Sequence, residues 1–321
     1  MTRNLIAALI LLAAPLAVPG AHAFPDRPIK LVVSSPAGGP PDIMARLLSD
    51  RMAAGLGQPV VVENRPGGAG GTIGAKSVLS AEPDGHTLMM GSTSSLLIAP
   101  LVYKNAGYTT ETFLPVAGLS ESTEVLAVHP SVKASSVAEL VALAKQQPGV
   151  LTYGSAGIGT LPHIEGELLK ARAGIDIRHI PYRGGGPALT GLLGGEIQIF
   201  FSALTQMLPY IRDGQLRGLA VTSDTRSPLA LEIPTMVESG FDGFVTASIN
   251  FVVAPPGTPM PVRQQVSDAV ARALASDDLK QAFAKIGATA RPATPDQLAA
   301  YLVEQQRRWG RIVEATRISL D

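Results

Sequence analysis

The sequence predicts an α/β fold of mostly parallel sheets covered by helices. Three observations predict it. First, segment 28–34 is a nearly continuous apolar run, as in a strand buried on both faces. Second, it passes through Ser34-Ser35-Pro36-Ala37-Gly38-Gly39-Pro40-Pro41-Asp42 into segment 43–56, where Met44, Leu47, Leu48 and Met52 form one helical stripe closed by Gly57. Third, this strand–loop–helix unit recurs along 321 residues, a length suited to about two domains.

In chain order, Pro59–Glu63 reads as the next strand, 67–71 as a glycine loop and Thr72–Ser80 as a short helix. His86–Met90 is a strand ending at Gly91-Ser92-Thr93-Ser94-Ser95. Val125–His129 is a strand, and Val137–Gln146 a helix with Ser135 or Ser136 as its cap. Strands at 151–153, 177–181 and 197–201 each run into a small-residue loop and then a helix, at 163–174, 188–193 and 204–213. Strands at 216–222 and 248–254 follow, then helices at 261–275, 278–286 and 295–315. No long linker separates domains, so the chain is expected to cross between them inside strands, near Val125 and Ser248. That gives domains of 24–124 plus 248–321, and of 125–247.

Residues 1–23 read as an export signal: Arg3, an apolar stretch from Leu5 to Val18 broken by Pro15, and a small-x-small site at Ala21-His22-Ala23. The mature chain is expected to start near Phe24. Zero cysteines exclude thiol nucleophiles, Cys-ligated zinc and iron–sulfur clusters, and leave an exported protein to rely on its core. A formal net charge of zero gives no electrostatic case for nucleic acid.

No GxSxG elbow, GxGxxG, Walker A or HExxH occurs, and the His residues lack metal-ligand spacing. What recurs is a strand end rich in Gly and Ser, at 34–42, 91–95, 154–160, 182–186 and 201–203. Ligands of open α/β sheets bind outside the carboxyl ends of strands. Backbone N–H groups beside a helix start also hold anions without a basic side chain. These loops nominate Ser92, Thr93, Ser94, Ser155, Ala156, Ser202 and Ala203, with Ala188 opening the helix after the last glycine loop. Asp42 reads either as a ligand contact or as the cap of helix 43–56. Tyr182 offers a ring and a hydroxyl, and Arg183 is the one cation in the middle loops.

Several long motifs stand in order: Phe24-Pro25-Asp26-Arg27-Pro28-Ile29, Ser35-Pro36-Ala37-Gly38-Gly39 with Asp42, and Gly57-Gln58-Pro59-Val60-Val61-Val62-Glu63-Asn64-Arg65-Pro66-Gly67. Pro83-Asp84-Gly85-His86-Thr87-Leu88, His179-Ile180-Pro181-Tyr182-Arg183-Gly184, Gly214-Gln215-Leu216-Arg217 and Ala254-Pro255-Pro256-Gly257-Thr258-Pro259 follow. With these the chain resembles the Bug (TctC) family, periplasmic solute receptors of tripartite tricarboxylate transporters, over essentially its whole mature length. The resemblance implies a type II-like Venus-flytrap, or periplasmic-binding-protein, fold of two α/β domains. It also implies a small carboxylate in the cleft, no cofactor and no metal. The implied partners are the membrane subunits of such a transporter, for a monomeric receptor in the periplasm.

The resemblance assigns a ligand carboxylate to Pro36, Ala37, Gly38 and Gly39, partly through water. It assigns the opposite wall to Gly157, Gly159, Thr160 and His163 and to Pro181, Tyr182, Arg183 and Gly184. Two departures stand out: Ile249-Asn250-Phe251 where the family often has Trp-x-Gly, and Gln198 where it often has Asp. Both are expected at the cleft wall or rim, favouring a less charged, partly apolar ligand. Other readings are a sensor subunit for a membrane kinase and a periplasmic hydrolase with a dispersed Ser–His–Asp triad.

Overall fold

The computed structural model describes residues 24–286, 288–316 and 318; the expected signal, 1–23, lies outside the described residues. Its first strands form a parallel set, with β1 (Ile29–Val33) between β2 (Val60–Asn64) and β3 (Thr87–Ser92). The crossovers are α1 (Pro40–Leu56) and α2 (Thr72–Leu79). Gly39 is the N-cap of α1, and Pro40 and Pro41 fill its first positions, where a missing N–H costs nothing. The helix therefore starts before 43, and Asp42 sits inside the first turn rather than capping it. Gly57, at φ 72°, ends α1 as expected of a left-handed C-terminal glycine. After β3, a π-helical turn (Thr93–Ile98) leads into α3 (Ala99–Val102).

The middle of the sheet is built by two long antiparallel strands, β4 (Leu114–Val128) and β9 (Ala247–Ala254). β4 is 15 residues long and changes partners within its length. It pairs with β9 as far as Thr123 opposite Ala247; from Glu124 onward it faces β7 (Ile199–Ala203), with Glu124 opposite Ala203. β8 (Arg217–Val221) also pairs with this second stretch. A second parallel set follows, β6 (Arg178–Pro181), β5 (Thr152–Ser155) and β7. α4 (Val137–Gln146), α5 (Leu161–Ala173), α6 (Gly185–Leu193) and α7 (Leu204–Arg212) join these strands. The chain closes with α8 (Met260–Ala275), α9 (Asp277–Lys285), β10 (Thr289–Ala293) and α10 (Pro295–Thr316). The strand order is β2-β1-β3-β9-β4-β7-β5-β6, with β8 and β10 both paired to β4.

Leu31, Leu48, Met52 and Val270 bury the seam between β1, α1 and α8, each contributing about 1.5–3 kcal/mol relative to exposure. On the other side, Leu126, Phe201, Leu168 and Trp309 join the sheet to α5 and α10. Gly91 lacks a side chain for a visible reason: a Cβ there would lie 2.8 Å from the Phe251 ring. Two parallel sets thus point their carboxyl ends, and the loops that follow, toward the strand crossing.

Candidate functional site

The loops after β1, β3, β5 and β6 converge through main-chain contacts. A Cβ on Gly71 or Gly74 would lie 2.9 Å from Ser34, so the 67–71 glycine loop rests on the loop after β1. Gly70 packs 3.0 Å from Ser94 O by the same measure and donates its N–H to Ile158 O at 3.0 Å. Leu161 N–H, in the first turn of α5, donates to Ser94 Oγ at 3.0 Å. Beyond it, Tyr182 N–H donates to Ser155 O and Gly184 N–H to Ala156 O. The first parallel set is therefore stitched to the second at the loop tips.

In the first loop, Gly38 has φ +81°, a conformation that favours glycine, and Asp42 Oδ2 accepts its N–H at 2.8 Å. Burial pushes the Asp42 carboxyl up, but Arg46, the Gly38 N–H and Asn64 outweigh it and hold it below its usual value. The Asp42–Arg46 pair is thus internally neutral, and Asn64 Nδ2 fastens the loop by donating to Ser35 O at 3.1 Å. Residues 37–38 form a turn, and the N–H of Ala37 has no acceptor among the described residues. The buried Ser35 hydroxyl likewise lacks a partner among them. Pro36, Ala37 and Gly38 are exposed.

In the second loop the three candidates separate. Ser92 Oγ accepts Ser95 N–H and caps the π-helical turn. Thr93 Oγ1 donates to Ala247 O (3.0 Å) and accepts Ile249 N–H (2.9 Å), so this buried hydroxyl is spent bracing β9. Ser94 Oγ accepts from Leu161 and keeps its own proton to give.

Across from it, Gly157 and Gly159 adopt φ 134° and 76° above a stack of rings. Tyr153 stacks on His179 (4.8 Å) and His179 on His163 (4.1 Å). His163 Nδ1 accepts Gly159 N–H at 3.2 Å, so its proton sits on Nε2, and Thr160 Oγ1 donates to Gly157 O at 2.6 Å. Ser155 Oγ lies 2.6 Å from His179 Nε2 and accepts Gly157 N–H at 3.1 Å. Burial, then the nearby His163, pushes His179 down to about 4, and burial lowers His163. Both rings are neutral at pH 7 and serve as acceptors and donors rather than charges. The Ser155–His179 pair resembles a nucleophile and its base, but Ser155 is 0% exposed and its hydroxyl is already engaged, so no ester or amide could reach it.

The remaining candidates scatter. Tyr182 turns its hydroxyl to Glu196 Oε2 (3.2 Å) and packs on Gly191, while Arg183 is exposed. Ser202 Oγ donates to Gln206, and Ala203 lies opposite Glu124 at the strand crossing. Ala188 lies within α6 and turns into the core. Gln198 contradicts the expectation of a cleft-wall position. It precedes β7 and accepts from Thr152 N–H (2.9 Å) and Oγ1 (2.8 Å), at the strand ends opposite the loops. Ile249 and Phe251 are core residues and line a recess of about 310 Å³ between the sheet, β10 and α10 that involves none of these loops. None of the three therefore argues for an apolar ligand.

Sequence reasoning passed over Gly70, Ser35 and Thr205. Thr205, in the first turn of α7 beside Ala203, carries a second buried hydroxyl without a partner among the described residues. The available signal was Ser or Thr just past a strand's apolar run. Among the described residues, no group of three or more His, Cys, Asp or Glu could hold a metal, and no helix is long and apolar enough to cross a membrane.

Residues 44–318 match the family described as tripartite tricarboxylate transporter family receptor. Protein BugT of Bordetella pertussis is 36% identical over 324 residues, covering 100% of this chain and 99% of that protein. Among solved structures, R. palustris Rpa4515 with adipate superposes at TM-score 0.84 and 33% identity, covering 92% of this chain and 99% of that one. The periplasmic binding protein BugD gives the same three values of 0.84, 33% and 92%, with 99% of its own chain covered. MatC from Rhodopseudomonas palustris with bound malate gives 0.84 and 32%, over 90% of this chain and 100% of that one.

Proposed function

We propose that this chain, which belongs to the tripartite tricarboxylate transporter receptor family, holds a small carboxylate between its strand-end loops and passes it to the membrane subunits of such a transporter. The family makes it a solute-binding receptor and not an enzyme. Two relatives were solved with adipate and malate, both small dicarboxylates. The observation that carries the reading is a set of neutral donors without acceptors among the described residues: the exposed N–H of Ala37 and the buried hydroxyls of Ser35 and Thr205. A buried hydroxyl left unpaired, as at Ser35 and Thr205, costs about 1–3 kcal/mol, and a carboxylate offers roughly four lone-pair sites that such donors could use. Gly38, Gly157, Gly159, Thr160, His163 Nε2–H and Ser94 would shape and close the pocket. The two domains would be 24–124 with 248–321, and 125–247, a division supported by the partner change of β4. Export to the periplasm is supported by the pattern of residues 1–23 and by periplasmic relatives.

Calorimetry and thermal shift against mono-, di- and tricarboxylates, adipate and malate included, test the reading. A ligand at 100 times its Kd should stabilise the fold by about 2.7 kcal/mol. A folded protein that no carboxylate stabilises would overturn it.

A further inference from the structure

Two carboxyl groups lie inside the protein where β4 changes partners. Glu124 is 4% exposed and Glu165, on the second turn of α5, 0%. Neutral groups knit them to both crossing strands. Glu124 N–H donates to Thr222 Oγ1 (3.2 Å), while Thr222 N–H donates to Glu124 O (2.9 Å). Thr222 Oγ1 donates to the carbonyl of Thr246, the residue just before β9, at 2.9 Å. Thr246 Oγ1 in turn donates to Glu165 Oε1 at 2.5 Å. Glu165 Oε2 is buried without a partner among the described residues.

Among the described residues, the surroundings supply no compensating charge. The neighbouring polar residues are Ser202 on β7, Thr222 after β8 and Thr246 before β9, with Gln305 the buried polar residue of α10, which packs on α5. On α5 itself, His163, Glu167 and Lys170 act on one another and on His179; the charge that bears on Glu165 is that of Glu124. Two like charges in a dry site without a cation cannot both persist.

We propose that Glu124 and Glu165 form a proton-binding site that ties α5 to both crossing strands, and that α5 keeps its place at the loops only while the pair keeps its proton. Burial pushes Glu124 up to about 8, and burial with the Glu124 charge pushes Glu165 well above the usual carboxyl range. α5 opens with Leu161 and His163, the contacts to Ser94 and Gly159, so losing the proton would loosen that wall. The link to ligand grip rests on the proposed carboxylate site; the proton site itself does not.

The test uses ligand-free full-length protein. Infrared spectra of the wild type at neutral pH should contain the C=O stretch of a buried carboxylic acid, weakened in Glu165→Gln and absent in the Glu124→Gln/Glu165→Gln double variant. The wild-type melting midpoint should fall by roughly 2–3 °C per pH unit from about pH 5 to about pH 8, where the folded pair holds a proton that the unfolded chain has lost, and level off above, while the Glu124→Gln/Glu165→Gln double variant lacks this slope. Small-angle scattering should show the wild type expanding from about pH 7 to about pH 9.5 and Glu165→Gln unchanged. Where Glu165→Gln folds poorly, Glu124→Gln and the double variant carry the same readouts. No carboxylic-acid band, parallel pH profiles, or equal expansion of wild type and variant would each overturn the proposal. Absence of any carboxylate binding would instead count only against the receptor site.

Discussion

Acid should loosen the loop carrying Gly157 and Gly159, because His179 beneath it is held neutral. The imidazole lies between Tyr153 and His163, and burial, then His163, moves its pKa from 6.5 to about 4. Between those values the folded ring binds fewer protons than the unfolded one. Its stabilising share is therefore complete above about pH 6.5 and is lost as the pH falls toward about 4. At about 1.4 kcal/mol per pH unit the full shift would be worth roughly 3 kcal/mol; partial exposure and solvent screening reduce this to about 2 kcal/mol. The perturbation is His179→Gln, which cannot titrate and keeps a polar end near Ser155. Denaturant unfolding of both proteins from about pH 7 to about pH 4 cancels every other titrating group by subtraction. The wild type should be the more stable at pH 7, and its advantage should shrink by about 2 kcal/mol at pH 4. A difference that stays constant, or widens on acidification, refutes the reasoning.

Gly38→Ala should weaken carboxylate binding and cost about 1–2 kcal/mol, because Gly38 holds φ +81°, whereas Gly39→Ala, at φ −79°, should cost little; calorimetry and melting midpoints separate them. Gly166→Ala would place a Cβ 2.1 Å from Tyr153 Cε2 and should destabilise by about 2–3 kcal/mol in scanning calorimetry. Ser94→Ala removes the acceptor of Leu161 N–H and should cost about 1 kcal/mol of stability and weaken carboxylate binding in the same titration. Ser136→Ala, the N-cap of α4, should cost about 1 kcal/mol yet leave carboxylate titrations unchanged.

The alternation of apolar runs and glycine-rich strand ends carried most of the architecture, because buried parallel strands must be apolar throughout and their loops must turn sharply. Two segments escaped that pattern. β10, Thr-Ala-Arg-Pro-Ala, is an edge strand with a proline and outward side chains, so it lacks a strand's alternation. The first half of β4 holds Pro115, Gly118 and Ser120 and is bulged, and it is a strand only because β9 and β10 pair with it. The site was legible as loops but not as contacts. Nothing in Ser92-Thr93-Ser94 distinguishes the hydroxyl that caps a turn, the one that braces β9 and the one that reaches α5. Asp42 was misplaced by three residues because Pro40 and Pro41 look like loop until they are seen as a helix start. Glu124 and Glu165 did carry a signal: each stands at an apolar position of its element, where a charge is out of place without a partner.

The partner change within β4 has a consequence for how motion could be observed. Fifteen residues at about 3.3 Å each make a strap of roughly 50 Å running through the molecule. Ladder bonds clamp it on both sides of one peptide unit, between Thr123 and Glu124. The amide of Glu124 is fastened to the Thr222 hydroxyl, not to a neighbouring strand's carbonyl. Its nitrogen resonance and exchange rate would therefore report any flexing of the strap as a single-residue signal, while the amides of Leu126 and Val128 stay silent.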